Sequence, residues 1–255
     1  MCKISVIVTT YNRKNWVQEC IESILNQSYR DFEVIVVDNY SDYNFEDLKQ
    51  NFRDERIRWY QNENGGIIAV NRNFGIKKSN GKYIAFCDDD DVWIETKLER
   101  QIEVMEKDQL DLVSSDLVLF KDDINKPIGV QKSRPLKDIN SLLKNNEINT
   151  SSVLVKNSDL VFFPENKYLI GCEDYALWLK LYNKNYKFKI INEAHVYYRL
   201  SNNFSNNNRY NKHLKIIIIL LLMKLENNEI GILRYSFKNF LYFYTKQLLL
   251  RLKLY

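Results

Sequence analysis

The chain has 255 residues, 45% of them hydrophobic and 27% charged, an ordinary globular composition that excludes a disordered or collagenous chain. Its net charge of +4 is unevenly held: residues 176–255 carry 14 Lys and Arg against 3 Asp and Glu, and residues 1–175 carry 23 against 30. Four cysteines without a CxxC pair argue against a disulfide scaffold or structural zinc, and two histidines argue against histidine-rich metal sites and Ser-His-Asp catalysis.

Ile4–Thr10 (ISVIVTT) is a β-branched run suited to a strand buried on both faces. Asn15–Gln27 then sets Trp16, Val17, Cys20, Ile21, Ile24 and Leu25 at helical spacing. Phe32–Asp38 (FEVIVVD) reads as a second buried strand, Phe45–Phe52 as a helix and Arg56–Tyr60 as a third strand. A helix over Ile67–Lys78 leads to a fourth strand, Tyr83–Cys87, and Ile94–Lys107 is again helical. This alternation predicts an α/β fold with a Rossmann-like, mainly parallel sheet flanked by helices. From Leu112 the pattern changes to mixed short elements, including TSSVLVK (Thr150–Lys156), a helix after Glu173 and strand-like runs at Phe188–Ile191 and His195–Tyr198. His195 reads as a packed core residue. A polar hinge, SNNFSNNNRY, separates residues 1–200 from a basic, apolar tail over 201–255 that reads as a helical extension.

Ligands of an open parallel α/β sheet bind at the carboxyl ends of its strands. Here TTYNR (Thr9–Arg13) follows the first strand, Asp38 and Asn39 the second, and Asp88–Asp91 the fourth, so parallel strands bring all three to one edge. Four adjacent carboxylates repel one another unless water and salt or a bound cation lies among them. Carboxylate oxygens suit hard cations such as Mg²⁺ or Mn²⁺, which take substrate phosphates as further ligands. A calcium loop fits poorly, because Val92 stands at the expected third acidic position, and no segment has P-loop spacing. Glu173 and Asp174 open a helix, where the macrodipole favours acids with or without a catalytic role.

SVIVTTYNR, VVDNYSDY, NRNFGI, GKYIAFCDDDDVW and CEDYALWLKLY together resemble, in order and spacing, the family 2 glycosyltransferases of GT-A fold. The resemblance spans about Lys3 to Arg199. It implies an inverting transferase that uses a nucleotide-diphosphate sugar, with Mn²⁺ or Mg²⁺ as cofactor. On it, residues 1–115 become the nucleotide-sugar-binding half and 116–200 the acceptor-binding half. Carried over, Thr9, Tyr11, Arg13, Asp38, Asn39, Arg72, Asn73, Asp88, Asp89 and Arg199 fall at nucleotide-sugar-binding positions. Asp90, with Asp88, matches the metal ligands, and Asp174 matches the catalytic base. Tyr198 and Arg199 resemble a YR element near the diphosphate. Asn39 replaces a frequent aspartate that suits the uracil N–H, and a uridine donor is the expectation.

The implied acceptor is a glycan or lipid-linked oligosaccharide of bacterial surface polysaccharide, such as O-antigen, capsule or lipopolysaccharide. Two readings of the tail stay open: helices that cap the core or pair subunits, and an interfacial anchor that lays residues 213–255 on an anionic membrane. Its longest wholly apolar stretch, Ile216–Met223, is far short of the ~20 residues of a spanning helix. The N-terminus lacks the form of a secretory signal, so a cytoplasmic protein is expected, peripheral on the inner face of the membrane in the second reading. No nucleic-acid partner is expected. Two alternatives stand beside a transferase: a sugar nucleotidyltransferase, which would normally carry a glycine-rich basic loop where this chain has TTYNRK, and a non-catalytic nucleotide-sugar-binding subunit.

Overall fold

The computed structural model describes residues 2–136, 138–144 and 146–200. The expected tail helices and the hinge before them lie outside the described residues. Strand β1 (Ile4–Thr10) and strand β2 (Phe32–Asp38) are buried along their whole lengths and pair in parallel, from Ile4 against Phe32 to Thr10 against Asp38. Strand β3 (Ile57–Gln61) extends the parallel ladder beyond β2, and β4 (Tyr83–Asp88) lies parallel on the other side of β1, with Thr9 opposite Asp88. This register brings Thr10, Asp38 and Asp88 to one edge, the arrangement that ligand sites of open α/β sheets use.

Beyond β4 the sheet is mixed. Its order runs β3-β2-β1-β4-β8-β6-β9-β5, with β5 at Val92–Trp93, β6 at Leu112–Phe120, β8 at Leu154–Lys156 and β9 at Phe188–Arg199. β8 is antiparallel to both β4 and β6, β9 is parallel to β6, and β5 is antiparallel to β9. A short β7 (Gly129–Gln131) pairs with β6 off this path. The parallel half therefore ends where the helical and strand periods stop alternating in the sequence.

Three local differences from the periodicity have physical causes. The run Thr150–Lys156 divides into a one-turn 3₁₀ helix at Thr150–Ser152 and then β8. Asn149 caps that turn by accepting from Ser151 N, and Ser152 Oγ bonds back to Asn149 O at 2.7 Å, so short polar side chains take the place of the strand ladder. The two runs around His195 form one strand, because shifts in the β6–β9 register between Ser115 and Leu117 absorb the polar residues between them. His195 is buried in that strand. Helix α4 starts at Lys97 rather than Ile94, because Val92 and Trp93 pair as β5 and Ile94 N bonds to His195 O.

Helices α1 (Lys14–Leu25) and α2 (Phe45–Gln50) follow the first two strands, and α1 buries Val17, Cys20, Ile21 and Ile24. Helix α3 (Ile68–Lys78) is unusual: it buries Asn71, Arg72 and Asn73 beside Ala69 and Gly75. A Cβ on Gly75 would lie 2.6 Å from Ile7 Cγ2, so glycine is what lets α3 sit this close to β1. Buried polar side chains need partners: Arg72 and Asn73 find them in the second half of the chain, while Asn71 Oδ1 accepts from Asn62 Nδ2 at 2.8 Å and its Nδ2 meets no acceptor among the described residues. Helix α5 (Ile139–Lys144) and helix α6 (Glu173–Asn183) complete the second half.

Candidate active site

The carboxyl ends of β1 and β2 open into a cleft of about 320 Å³ that includes Thr9, Tyr11, Arg13, Asn39, Asn71 and Asp89. It continues into a space of about 460 Å³ beside Tyr40 and Glu63, with Tyr11, Asn39 and Gly66 common to both. Tyr11 and Tyr40 are exposed and offer aromatic faces to a planar ligand. Asn39 is fixed on both sides, its N–H donating to Thr10 O at 3.0 Å and its Oδ1 accepting from Asn64 N at 2.9 Å. Asp38, in contrast, is fully buried. Its carboxylate braces the following turn by accepting from Ser41 N at 3.0 Å and Gln61 Nε2 at 3.1 Å.

The four aspartates after β4 occupy four different environments. Asp88 Oδ1 accepts from Arg72 Nη2 at 2.7 Å, and Asp88 N donates to Ser151 Oγ at 3.0 Å. Arg13 Nη1 donates to Asp89 Oδ1 at 2.8 Å and to Asp90 Oδ2 at 3.0 Å. Asp91 is buried, its Oδ1 accepting from Arg199 N at 3.1 Å and its Oδ2 meeting no donor. Burial pushes Asp89 up to about 6 against the pull of Arg13, and burial followed by the charge of Asp88 raises Asp90. Burial, then Asp90 and Asp88, lift Asp91 well above the carboxylate range. Among the described residues only Arg13 and Arg72 pair with these four carboxylates, while Arg199 bonds the Asp90 backbone and Glu19, so the cluster is short of positive charge.

That shortage, the orphaned Asp91 oxygen and the partial exposure of Asp88 and Asp90 fit a hard divalent cation. Among the described residues no three His, Cys, Asp or Glu side chains form a metal cage by themselves. A fit here is therefore of the kind in which one or two carboxylates act with substrate oxygens.

Asp174 stands in the first turn of α6, mostly buried, next to the Glu173 that Arg72 ties to Asp88. Its Oδ2 accepts from Asn146 Nδ2 at 3.1 Å, and its Oδ1 from Tyr175 N at 2.6 Å. Burial, followed by the charge of Glu173, pushes Asp174 up to about 6, while Arg72 opposes the rise. Glu173 has a different task. Its Oε1 accepts from Arg72 Nη1 at 2.9 Å and its Oε2 from Gly171 N at 2.6 Å. Arg72 thus spans from Asp88 to Glu173, with its guanidinium over the Phe163 ring at 5.2 Å.

Several expected donor contacts are placed as braces around the cleft. Asn73 is fully buried, donating to Phe163 O at 2.8 Å and Glu165 Oε1 at 2.9 Å and accepting from Phe163 N at 2.8 Å. Arg199 lies beneath the acidic run: its Nε donates to Asp90 O at 3.0 Å, its Nη2 to Glu19, and it stacks over Phe120 at 4.4 Å and Trp16 at 5.3 Å. Burial, then Asp91, Asp88 and Asp90, raise the Tyr198 hydroxyl. Thr9, Tyr11, Arg13, Asn39 and Asp89 line the cleft itself. Sequence reasoning missed Glu173 as a brace, and also Ser151, whose backbone oxygen accepts from Trp93 Nε1 at 2.9 Å while its hydroxyl holds Asp88. The cluster of hydroxyls in TSS was the available signal.

Residues 5–159 match the model of the family described as Glycosyl transferase family 2. The chain belongs to that family. This glycosyltransferase is 33% identical over 199 residues to the Escherichia coli protein named UDP-Glc:alpha-D-GlcNAc-diphosphoundecaprenol beta-1,3-glucosyltransferase WfaP, with 77% of each chain covered. Its fold resembles that of S. aureus TarS, solved in complex with UDP-GlcNAc, at a TM-score of 0.67 and 21% identity, over 86% of this chain and 66% of that one. It also resembles the mannosyltransferase PcManGT from Pyrobaculum calidifontis, solved with GDP-Man and Mn²⁺, at a TM-score of 0.64 and 16% identity, over 87% of this chain and 64% of that one. These two likenesses establish the fold, GT-A. The glycosyltransferase thus has the α/β architecture its motifs imply, parallel in the first half and mixed beyond β4.

Proposed function

We infer that this glycosyltransferase moves a hexose or N-acetylhexosamine from a UDP-sugar to a hydroxyl of a lipid-linked glycan, with inversion, in the assembly of bacterial surface polysaccharide. The observation that carries the reading is the pairing of a solvent-reachable acidic run with one mostly buried carboxylate, Asp174, joined to it through Glu173, Arg72 and Asp88. WfaP supports the donor and acceptor class, since its name specifies UDP-Glc, a GlcNAc-diphosphoundecaprenol acceptor and a beta linkage.

In this reading Tyr11 and Asn39 hold the nucleotide in the cleft, and Asp90 with Asp88 would hold a divalent cation. When bound, the cation supplies positive charge to the departing diphosphate. PcManGT supports that assignment, having been solved with Mn²⁺. Asp174 accepts the proton of the acceptor hydroxyl as it attacks the anomeric carbon from the face opposite the diphosphate. A carboxylate raised to about 6 is still ionised at neutral pH and basic enough to take that proton. A single base without an enzyme nucleophile gives one displacement and therefore inversion. Residues 1–115 would supply the donor half, 116–200 the acceptor half, and 213–255 a peripheral contact with the cytoplasmic face of an anionic membrane. Among the described residues no helix is long and apolar enough to cross a membrane.

The test is nucleotide release from UDP-, GDP- and dTDP-sugars by the full chain, with Mn²⁺ or with EDTA. Release from a UDP-sugar that EDTA abolishes is expected. Release from a GDP- or dTDP-sugar alone would overturn the uridine assignment, and release unaffected by EDTA would overturn the metal.

A further inference from the structure

Arg13 is the odd member of the cations around the acidic run. Arg72 and Arg199 are locked, with side chains 5% and 8% exposed. Arg13 is 45% exposed, and it reaches both Asp89 and Asp90 through one nitrogen, Nη1, rather than through a two-nitrogen fork. It leaves the chain at the N-cap of α1 without a side-chain cap bond, and its guanidinium rests over the Trp16 ring at 5.2 Å. It also lines the cleft in which Tyr11 and Asn39 stand. One half-exposed cation therefore touches the carboxylate best placed to take a metal and faces the space a nucleotide would fill.

We propose that Arg13 is a stand-in counter-cation: it holds Asp90 in the metal-free protein and passes to the donor diphosphate when metal and nucleotide arrive together. The proposal rests on the metal-dependent reading above. Two positive charges on one carboxylate repel, so a divalent ion arriving alone must displace Arg13 and leave a guanidinium without its partner. A nucleoside diphosphate removes that conflict, because its phosphate oxygens accept Arg13 while Asp90 accepts the ion. Metal and nucleotide then bind cooperatively, and by linkage each strengthens the other by the same factor. Asp89, nearly buried and also bonded to Arg13, is the fixed point that returns the side chain when the nucleoside diphosphate leaves.

The experiment is titration of the full chain with Mn²⁺, followed by the loss of the free-ion electron paramagnetic resonance signal, with and without UDP, for wild type, Arg13→Gln and Arg13→Lys. Arg13→Gln is expected to bind Mn²⁺ alone about tenfold more tightly than wild type and UDP in the presence of Mn²⁺ about tenfold more weakly, each factor being ~1.4 kcal/mol. The cooperativity between the two ligands should fall accordingly. Arg13→Lys, which keeps a point charge on a flexible stem, should lie between them. Mn²⁺ affinity that is unchanged or weakened in Arg13→Gln, while UDP still promotes Mn²⁺ binding in wild type, overturns the exchange and leaves the metal reading intact. Failure of wild type to bind Mn²⁺ even with UDP overturns both.

Discussion

Asp174 and the acids around it show how burial sorts identical side chains into different work. In the proposed role Asp174 takes a proton only when ionised, and burial followed by the charge of Glu173 lifts it to about 6. Turnover at saturating donor and acceptor should therefore fall about tenfold per unit as pH drops below that value. Glu173→Gln removes a negative neighbour, so the acid limb of the pH–rate profile should move to lower pH; a limb that stays in place would separate Asp174 from the titration. Four adjacent aspartates were legible in the sequence, but their division was not. Nothing in DDDD says that Asp91 turns inward to the Arg199 backbone while Asp90 stays accessible. That follows from β5, a two-residue strand too short to carry a period, which pins Val92 and Trp93 against β9 immediately after Asp91.

At the scale of elements, α3 explains why NRNFGI is a motif at all. A helix that buries Asn71, Arg72 and Asn73 has no apolar stripe to read, and its polar face makes sense only against Asp88, Glu173 and the Phe163–Glu165 segment. Those partners lie about 15 to 100 residues away in the chain, beyond any local pattern. Gly75 is the steric counterpart of that face. Gly75→Ala must push Ile7 or the helix aside, and the chemical-denaturation midpoint should report a loss of about 1–3 kcal/mol. An unchanged midpoint would mean that β1 and α3 do not meet as closely as described. The first two strands were legible because each is a β-branched run buried along its length with a polar end, and the fourth as an apolar run ending in aspartates. The turn at Thr150–Ser152 and the bulged β6–β9 register were not, since both depend on hydrogen bonds made after the strands meet.

Over the whole molecule, charge divides along the chain. Residues 1–175 carry 30 Asp and Glu against 23 Lys and Arg, whereas the tail, residues 201–255, carries 9 Lys and Arg against 2 Asp and Glu. If the tail lies on an anionic surface, each cation at the interface contributes about 1 kcal/mol at moderate salt. Replacing Lys246, Arg251 and Lys253 together by Gln should then weaken binding of the full chain to phosphatidylglycerol vesicles about a hundredfold, measured by sedimentation. Equal binding of both forms would favour a tail that serves its own core or a second subunit. The most direct measurement of the central claim, that one carboxylate on α6 acts as the base for a donor held at the acidic edge, is a comparison of wild type with Asp174→Asn. Both proteins are assayed for Mn²⁺-dependent UDP-sugar binding and for sugar transfer. The account predicts binding retained and transfer reduced by about 10² to 10⁴. Transfer at the wild-type rate would contradict it.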